Sequence, residues 1–145
     1  MNEKIFKTFQ DLEVWQVARE FRRRMYGIVK QLPAEEKFNL ASQMRRAALS
    51  VTNNIAEGHG RYHFQENIQF LRTSRGSLEE LLDDLTLCRD ESYLPESEIK
   101  AAEAEGARVR MLINGYVRYL KARKEGNTDV LRESPVPYKT DEEDV

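Results

Sequence analysis

The chain has 145 residues, 40% of them hydrophobic and 33% charged, with a formal net charge of −2; this suits one domain with a broad solvated surface and leaves no room for two cores. Its single cysteine, Cys88, excludes an intrachain disulfide, suits a reducing cytosol and is expected as a small buried apolar residue. No cationic leader opens the sequence and no apolar run approaches the roughly 20 residues a bilayer requires, so a soluble cytoplasmic protein without a membrane partner is expected.

Residues 1–10 carry Ile5, Phe6 and Phe9 without a helical period and read as a lead-in segment whose aromatics pack on the helical body. Asp11 is placed to cap or open a first helix. From there Val14, Ala18, Phe21, Met25, Ile28 and Leu32 recur at steps of four and three, a heptad-like seam widened by Leu12, Trp15 and Val29. Arg19, Arg22, Arg23 and Arg24 mark its outer face. Pro33 is expected to end this helix, Glu35 and Glu36 suit a helix N-terminus, and Asn39 is a candidate cap for a second helix from Leu40 to about Gly58.

That second helix is the element around which the chain is organised. Leu40, Met44, Ala47, Val51 and Ile55 share its core face, while Arg46, Ser50, Asn54 and Glu57 form a polar row at the border of that face. Such a row is costly unless each member is partnered. Gly58 and Gly60 are expected to stop the helix, because glycine readily takes the left-handed conformation that closes a last turn. The third helix has Phe64, Ile68, Leu71, Leu78, Leu82 and Leu85 as its seam, with Phe70, Leu81 and Cys88 flanking. The heptad slot between Leu71 and Leu78 falls on Arg75. Arg75 and Glu79 are therefore expected to face the polar row of the second helix, with Gly76 letting the two backbones approach.

Tyr93, Leu94 and Pro95 make a break, after which Ile99, Ala102, Gly106, Val109, Ile113, Tyr116 and Leu120 give a fourth helix its seam. Gly126, after the cationic turn of Lys121, Arg123 and Lys124, suits a C-terminus. From Glu125 onward seven acidic residues stand against Arg132 and Lys139, a balance of −5 that leaves +3 for residues 1–124. Residues 125–145 are expected to form a disordered acidic tail. The expected fold is all-α, an antiparallel up-down-up-down four-helix bundle over residues 11–124.

Phe9-Gln-Asp-Leu-Glu-Val-Trp-Gln16, Leu32-Pro-Ala-Glu-Glu-Lys37, Ser42-Gln-Met-Arg-Arg-Ala-Ala48, Ser50, Asn54-Ile-Ala-Glu-Gly58 and Arg75-Gly-Ser-Leu-Glu79 occur in this order. Together they resemble the four-helix-bundle proteins encoded by intervening sequences in bacterial large-subunit ribosomal RNA genes. That family also includes the accessory variability proteins of diversity-generating retroelements. The resemblance implies a homopentamer around a central axis and, for the retroelement branch, a basic surface that binds nucleic acid and a reverse transcriptase. That branch is strongly basic. This chain is net acidic, a departure that favours the intervening-sequence type or an orphan relative.

The motifs of catalysis are missing from the sequence: no inward Glu-x-x-His pairs for a di-metal bundle, no phosphate loop and no nucleophile elbow. Neither enzymatic activity nor a cofactor is expected. Glu57, His59 and His63 offer the spacing of a metal site, but the intervening glycines and the four ligands that structural zinc normally takes weigh against one. Arg46, Ser50, Asn54, Glu57, Arg75 and Glu79 could shift one another's pKa as an acid–base site; a structural polar network is the stronger reading. Candidates for nucleic-acid contact are Arg19, Arg22, Arg23 and Arg24, then Arg61 with Tyr62, then Arg118, Lys121, Arg123 and Lys124, because cations release counterions from phosphates and aromatics stack on unpaired bases. Trp15, Tyr26, Tyr116 and Tyr119 exceed what a minimal seam needs, and some are expected between subunits. The sequence reads as a non-enzymatic oligomeric scaffold with RNA or DNA as candidate partners. The alternatives are an adaptor for a polymerase or reverse transcriptase and, third, a metal- or small-molecule-binding bundle with its site near Glu57, His59 and His63.

Overall fold

A computed structural model describes residues 8–126. The lead-in before Thr8 and the acidic tail beyond Gly126 lie outside the described residues. Four helices make up the body: α1 (Glu13–Val29), α2 (Leu40–His59), α3 (Phe64–Asp90) and α4 (Glu96–Lys124). Each packs on its neighbour in sequence and α4 returns to α1, with no close backbone approach across either diagonal among the described residues. Polar pairs give the direction of packing. Glu13 and Arg24 of α1, and Gln31 just past its end, meet Arg108, Glu105 and Glu98 of α4, and Gln65, Glu79 and Arg89 of α3 meet Lys124, Arg110 and Glu103. Numbers rise along one helix as they fall along its neighbour, the order of antiparallel packing.

The apolar period is what closes this bundle. Val14, Ala18, Phe21, Met25 and Ile28 of α1 are buried, as are Leu40, Met44, Ala47, Val51 and Ile55 of α2, and every expected seam residue of α4 from Ile99 to Leu120. Burial of these stripes against one another is the main favourable term, since none of the helices has a tertiary-independent reason to persist at this length in water. Cys88 is fully buried, and burial next to Asp84 pushes its thiol pKa up to about 11.

In α3 the seam is displaced by one residue from the expected one. Leu81 and Cys88 are fully buried while Leu82 is only partly so, and the slot between Leu71 and Leu78 belongs to Ser74, not Arg75. Steps of three, four, three, four and three from Leu71 through Ser74, Leu78, Leu81 and Leu85 to Cys88 fit a seam just as well. Apolarity alone favoured the wrong choice at a buried serine, which is tolerated because its hydroxyl donates to the Val51 carbonyl at 2.7 Å.

The helix ends also depart from expectation. Phe9–Asp11 is a 3-10 turn closed by a capping box, in which the Asp11 carboxylate accepts from the Thr8 N–H at 3.2 Å and the Thr8 hydroxyl from the Gln10 N–H at 3.2 Å. Phe9 meets Trp15 edge-on at 5.0 Å. Helix α1 stops at Val29, short of Pro33, and the chain tightens into i→i−3 hydrogen bonds from Gln31 to Ile28 and from Leu32 to Val29. Asn39 does not cap α2 with its side chain. The Glu36 carboxylate takes that place, accepting from the Leu40 N–H at 3.4 Å and from the Asn39 amide at 3.1 Å.

Candidate nucleic-acid interface

The polar row of α2 is not one ladder to Arg75 and Glu79. The Asn54 amide donates to the Ser50 carbonyl and hydroxyl at 2.8 and 2.9 Å, and Ser50 meets Ser77 of α3 at 2.8 Å. Arg75 turns the other way, donating to Asn114 of α4 at 2.6 Å, and Glu79 accepts two hydrogen bonds from Arg110 at 2.7 and 3.1 Å. The cause is the seam displacement: with Ser74 facing α2, Arg75 stands about 100° further round α3 and reaches α4. Glu57 pairs within its own turn with Arg61 at 2.7 Å, and Arg46 is exposed. The six residues therefore divide among an α2–α3 seam, an α3–α4 seam and the surface.

The cationic candidates separate as clearly. On α1, Arg22 donates to the Thr52 hydroxyl at 2.9 Å, Arg24 to Glu105 at 2.8 Å, and Arg23 lies 3.7 Å from Glu20. Arg19 lies over the Trp15 ring at 5.9 Å. These arginines stand along the side of the bundle.

Arg61, Tyr62, Lys121, Arg123 and Lys124 gather instead at one end, where α2 passes to α3 and α4 finishes. Lys124 donates to Gln65 in the first turn of α3 at 2.7 Å, and the Arg123 guanidinium sits over the Phe64 ring at 5.1 Å and the Tyr119 ring at 5.8 Å while donating to the Tyr119 hydroxyl at 3.3 Å. Arg61 sits over Phe70 at 4.8 Å. Tyr62 is 92% exposed. Arg118 is exposed one turn earlier on α4. The sequence reading placed Phe64 and Phe70 in or beside the seam of α3 and Tyr119 among the excess aromatics, none of them as a seat for an arginine; only the four-residue step from Tyr119 to Arg123 was readable there.

At this same end α2 continues through Gly58 to His59. Gly60 closes it at φ −78°, without left-handed backbone, so of Gly58, Gly60 and Gly126 it is Gly126, at φ +79°, that ends a helix in the expected way. His59 is partly buried, which lowers its pKa, while His63 is exposed at the start of α3. Among the described residues no three His, Cys, Asp or Glu side chains converge as a metal site. Of the four excess aromatics, Tyr116 is buried in the chain's own core.

A second titratable group lies apart from this end. One oxygen of Asp84 on α3 is buried without a hydrogen-bond partner, and desolvation, reinforced by Asp83 and Glu80, pushes its pKa up to about 6.

Fold and surface together define a closed all-α four-helix bundle with a cationic end. The family model described as 23S rRNA-intervening sequence protein matches residues 10–115, and the chain belongs to that family. The match covers the first three helices and most of α4, up to the turn that carries Arg118, Lys121, Arg123 and Lys124. A search of the curated proteins finds no match. Among the described residues no helix is long and apolar enough to cross a membrane.

Proposed function

We propose that this protein is a non-enzymatic, oligomeric, cytoplasmic scaffold that holds RNA or DNA through phosphate contacts at the cationic end of its bundle. The supporting observation is the convergence of Arg61, Lys121, Arg123 and Lys124 from two elements, with Arg61 and Arg123 seated on aromatic rings and Arg61 also paired with Glu57. Each lysine or arginine that neutralises a phosphate releases counterions, and several copies in one assembly multiply a modest contact. The family resemblance implies five copies. The α1 arginines contribute less, because they stand along the side of the bundle and not at its cationic end.

Light scattering across micromolar concentrations should give a mass several times 17.0 kDa; a monomer throughout would remove the oligomeric half. RNA affinity should fall steeply as salt rises and be lost when Lys121, Arg123 and Lys124 are changed to glutamate. Binding indifferent to both would remove the nucleic-acid half.

The −5 balance from Glu125 onward favours a second reading, an adaptor whose acidic tail covers the cationic end until a polymerase partner displaces it. Removing residues 125–145 should then raise RNA affinity; unchanged affinity argues against it.

A further inference from the structure

Phosphate contact does not account for Tyr62. Its side chain is 92% exposed on the connection between α2 and α3, held edge-on to His63 at 5.1 Å with an interplanar angle of 80°. The same end of the bundle carries two cations that are not free to wander. Arg61 lies on Phe70 and is bonded to Glu57, and Arg123 lies on Phe64 and is bonded to Tyr119. Holding a guanidinium in place beforehand lowers the ordering cost of binding.

We infer that this end receives an unpaired strand and not a duplex, with Tyr62 stacking on one base while Arg61 and Arg123 take the neighbouring phosphates. The inference rests on the nucleic-acid reading above and narrows it to a ligand class. In a duplex the base faces are occupied by one another, so a ring on a loop has no face to meet; in a single strand they are open, and aromatic stacking is indifferent to base identity. A duplex would use the cations and leave Tyr62 idle.

The opposite end supplies the contrast. Phe38, between α1 and α2, is 87% exposed, nearly as much as Tyr62, with Lys37 over its ring at 5.3 Å. Its end also carries Glu35, Glu36, Glu91, Glu96 and Glu98; the Tyr93 hydroxyl, bonded to Glu36, holds the two connections there together. Carboxylates repel a phosphate chain, so an exposed ring at that end is not a base platform. Exposure alone does not distinguish the two rings; charge does.

The test uses the full chain, a labelled 12-nucleotide oligouridine and an RNA duplex of the same length, with fluorescence anisotropy at several salt concentrations. The single strand should bind more tightly. Tyr62→Ala should weaken it between about fivefold and a hundredfold, the loss of one base–aromatic stack, leaving its salt slope and the duplex affinity unchanged. Tyr62→Phe should retain the affinity, and Phe38→Ala should change nothing. If Tyr62→Ala leaves single-strand binding intact while the Lys121, Arg123 and Lys124 reversal abolishes it, the stacking inference falls and the phosphate reading stands. Equal losses for both ligands in Tyr62→Ala also overturn the inference. If neither RNA binds at low salt, both readings fall together.

Discussion

Gly58 of α2 stands against Asn67 of α3 so closely that a Cβ at residue 58 would lie 2.6 Å from the Asn67 side-chain oxygen and 3.1 Å from its carbonyl. It would also lie 3.0 Å from the Phe70 Cβ. Asn67 is only 6% exposed and donates to the Tyr116 hydroxyl at 3.4 Å, so it cannot swing away without opening the α3–α4 seam. Gly58→Ala should therefore destabilise the bundle by about 1–3 kcal/mol, even though alanine is the better helix former. Gly76→Ala is the control. Nothing lies within 4 Å of a Cβ there, the residue is exposed within α3, and the change should stabilise by roughly 0.5–1 kcal/mol. Urea melts of the two variants should move in opposite directions; a shared shift would mean the close approach is not at Gly58.

The bundle was legible because its signal is redundant: about ten apolar positions per helix pair must all agree before a period of roughly 3.5 or 3.6 appears. Single polar contacts have no such redundancy. The sequence offered Arg75 and Gly76 as the close, ionic crossing, and the crossing occurs instead at Ser74 and Gly58. A serine is scored as polar by any pattern of apolar residues, yet one hydroxyl bond to Val51 is enough to let Ser74 be buried completely. Glycines near one another in sequence say nothing of which one another helix will approach. The cationic end was half legible. Its residues were identified one by one, but Arg61 and Arg123 became a site only through Phe64 and Phe70, which the periodicity had assigned to the core or its margin, and Tyr119, which had been counted among the excess aromatics.

Arg75 gives the second prediction, since its direction separates the observed seam from the expected ladder. A double-mutant cycle of Arg75→Ala with Asn114→Ala should show a coupling of about 1.5–3 kcal/mol, the range of a hydrogen bond made by a charged donor. The cycle of Arg75→Ala with Asn54→Ala should be additive, because Asn54 is bonded to Ser50 on its own helix. Coupling to Asn54 in place of Asn114 would return Arg75 to the α2 side.

Asp84 should make stability fall as the solution becomes less acid. Its folded pKa of about 6 exceeds the ordinary 3.8, so between those values the native state holds more protons than the unfolded chain and loses relative stability with each step of rising pH. Above about pH 7 the penalty is complete. Allowing for solvent screening of a partly exposed group, it is on the order of 1 kcal/mol. Asp84→Asn should be more stable than the parent at about pH 7 and equal to it near about pH 3.5. Other carboxylates have the opposite trend, so the quantity to follow is the difference between the two proteins in parallel thermal melts. A difference that does not change with pH would show that the Asp84 carboxyl is well solvated.

The Tyr93 hydroxyl donates to the Glu36 carboxylate at 2.7 Å, joining the connection between α3 and α4 to that between α1 and α2. This bond is the largest cause that holds the Glu36 pKa below the ordinary 4.5, with the Asn39 amide and the Leu40 N–H acting in the same direction. It also pushes the Tyr93 pKa up to about 12 from the ordinary 10. A carboxylate with a depressed pKa contributes stability that is present above its unfolded value and lost as pH falls through its folded one. A phenol with a raised pKa contributes below its unfolded value and fades as pH climbs through its folded one. Tyr93→Phe should thus lower the melting temperature between about pH 5 and pH 10, the window set by those two groups. The deficit should close as acid protonates Glu36 and as alkali ionises the parent tyrosine. A Tyr93→Phe deficit of constant size across the whole range would assign the loss to packing of the ring and not to the bond, and Glu36→Gln, which keeps an acceptor without the charge, would distinguish the two near neutral pH.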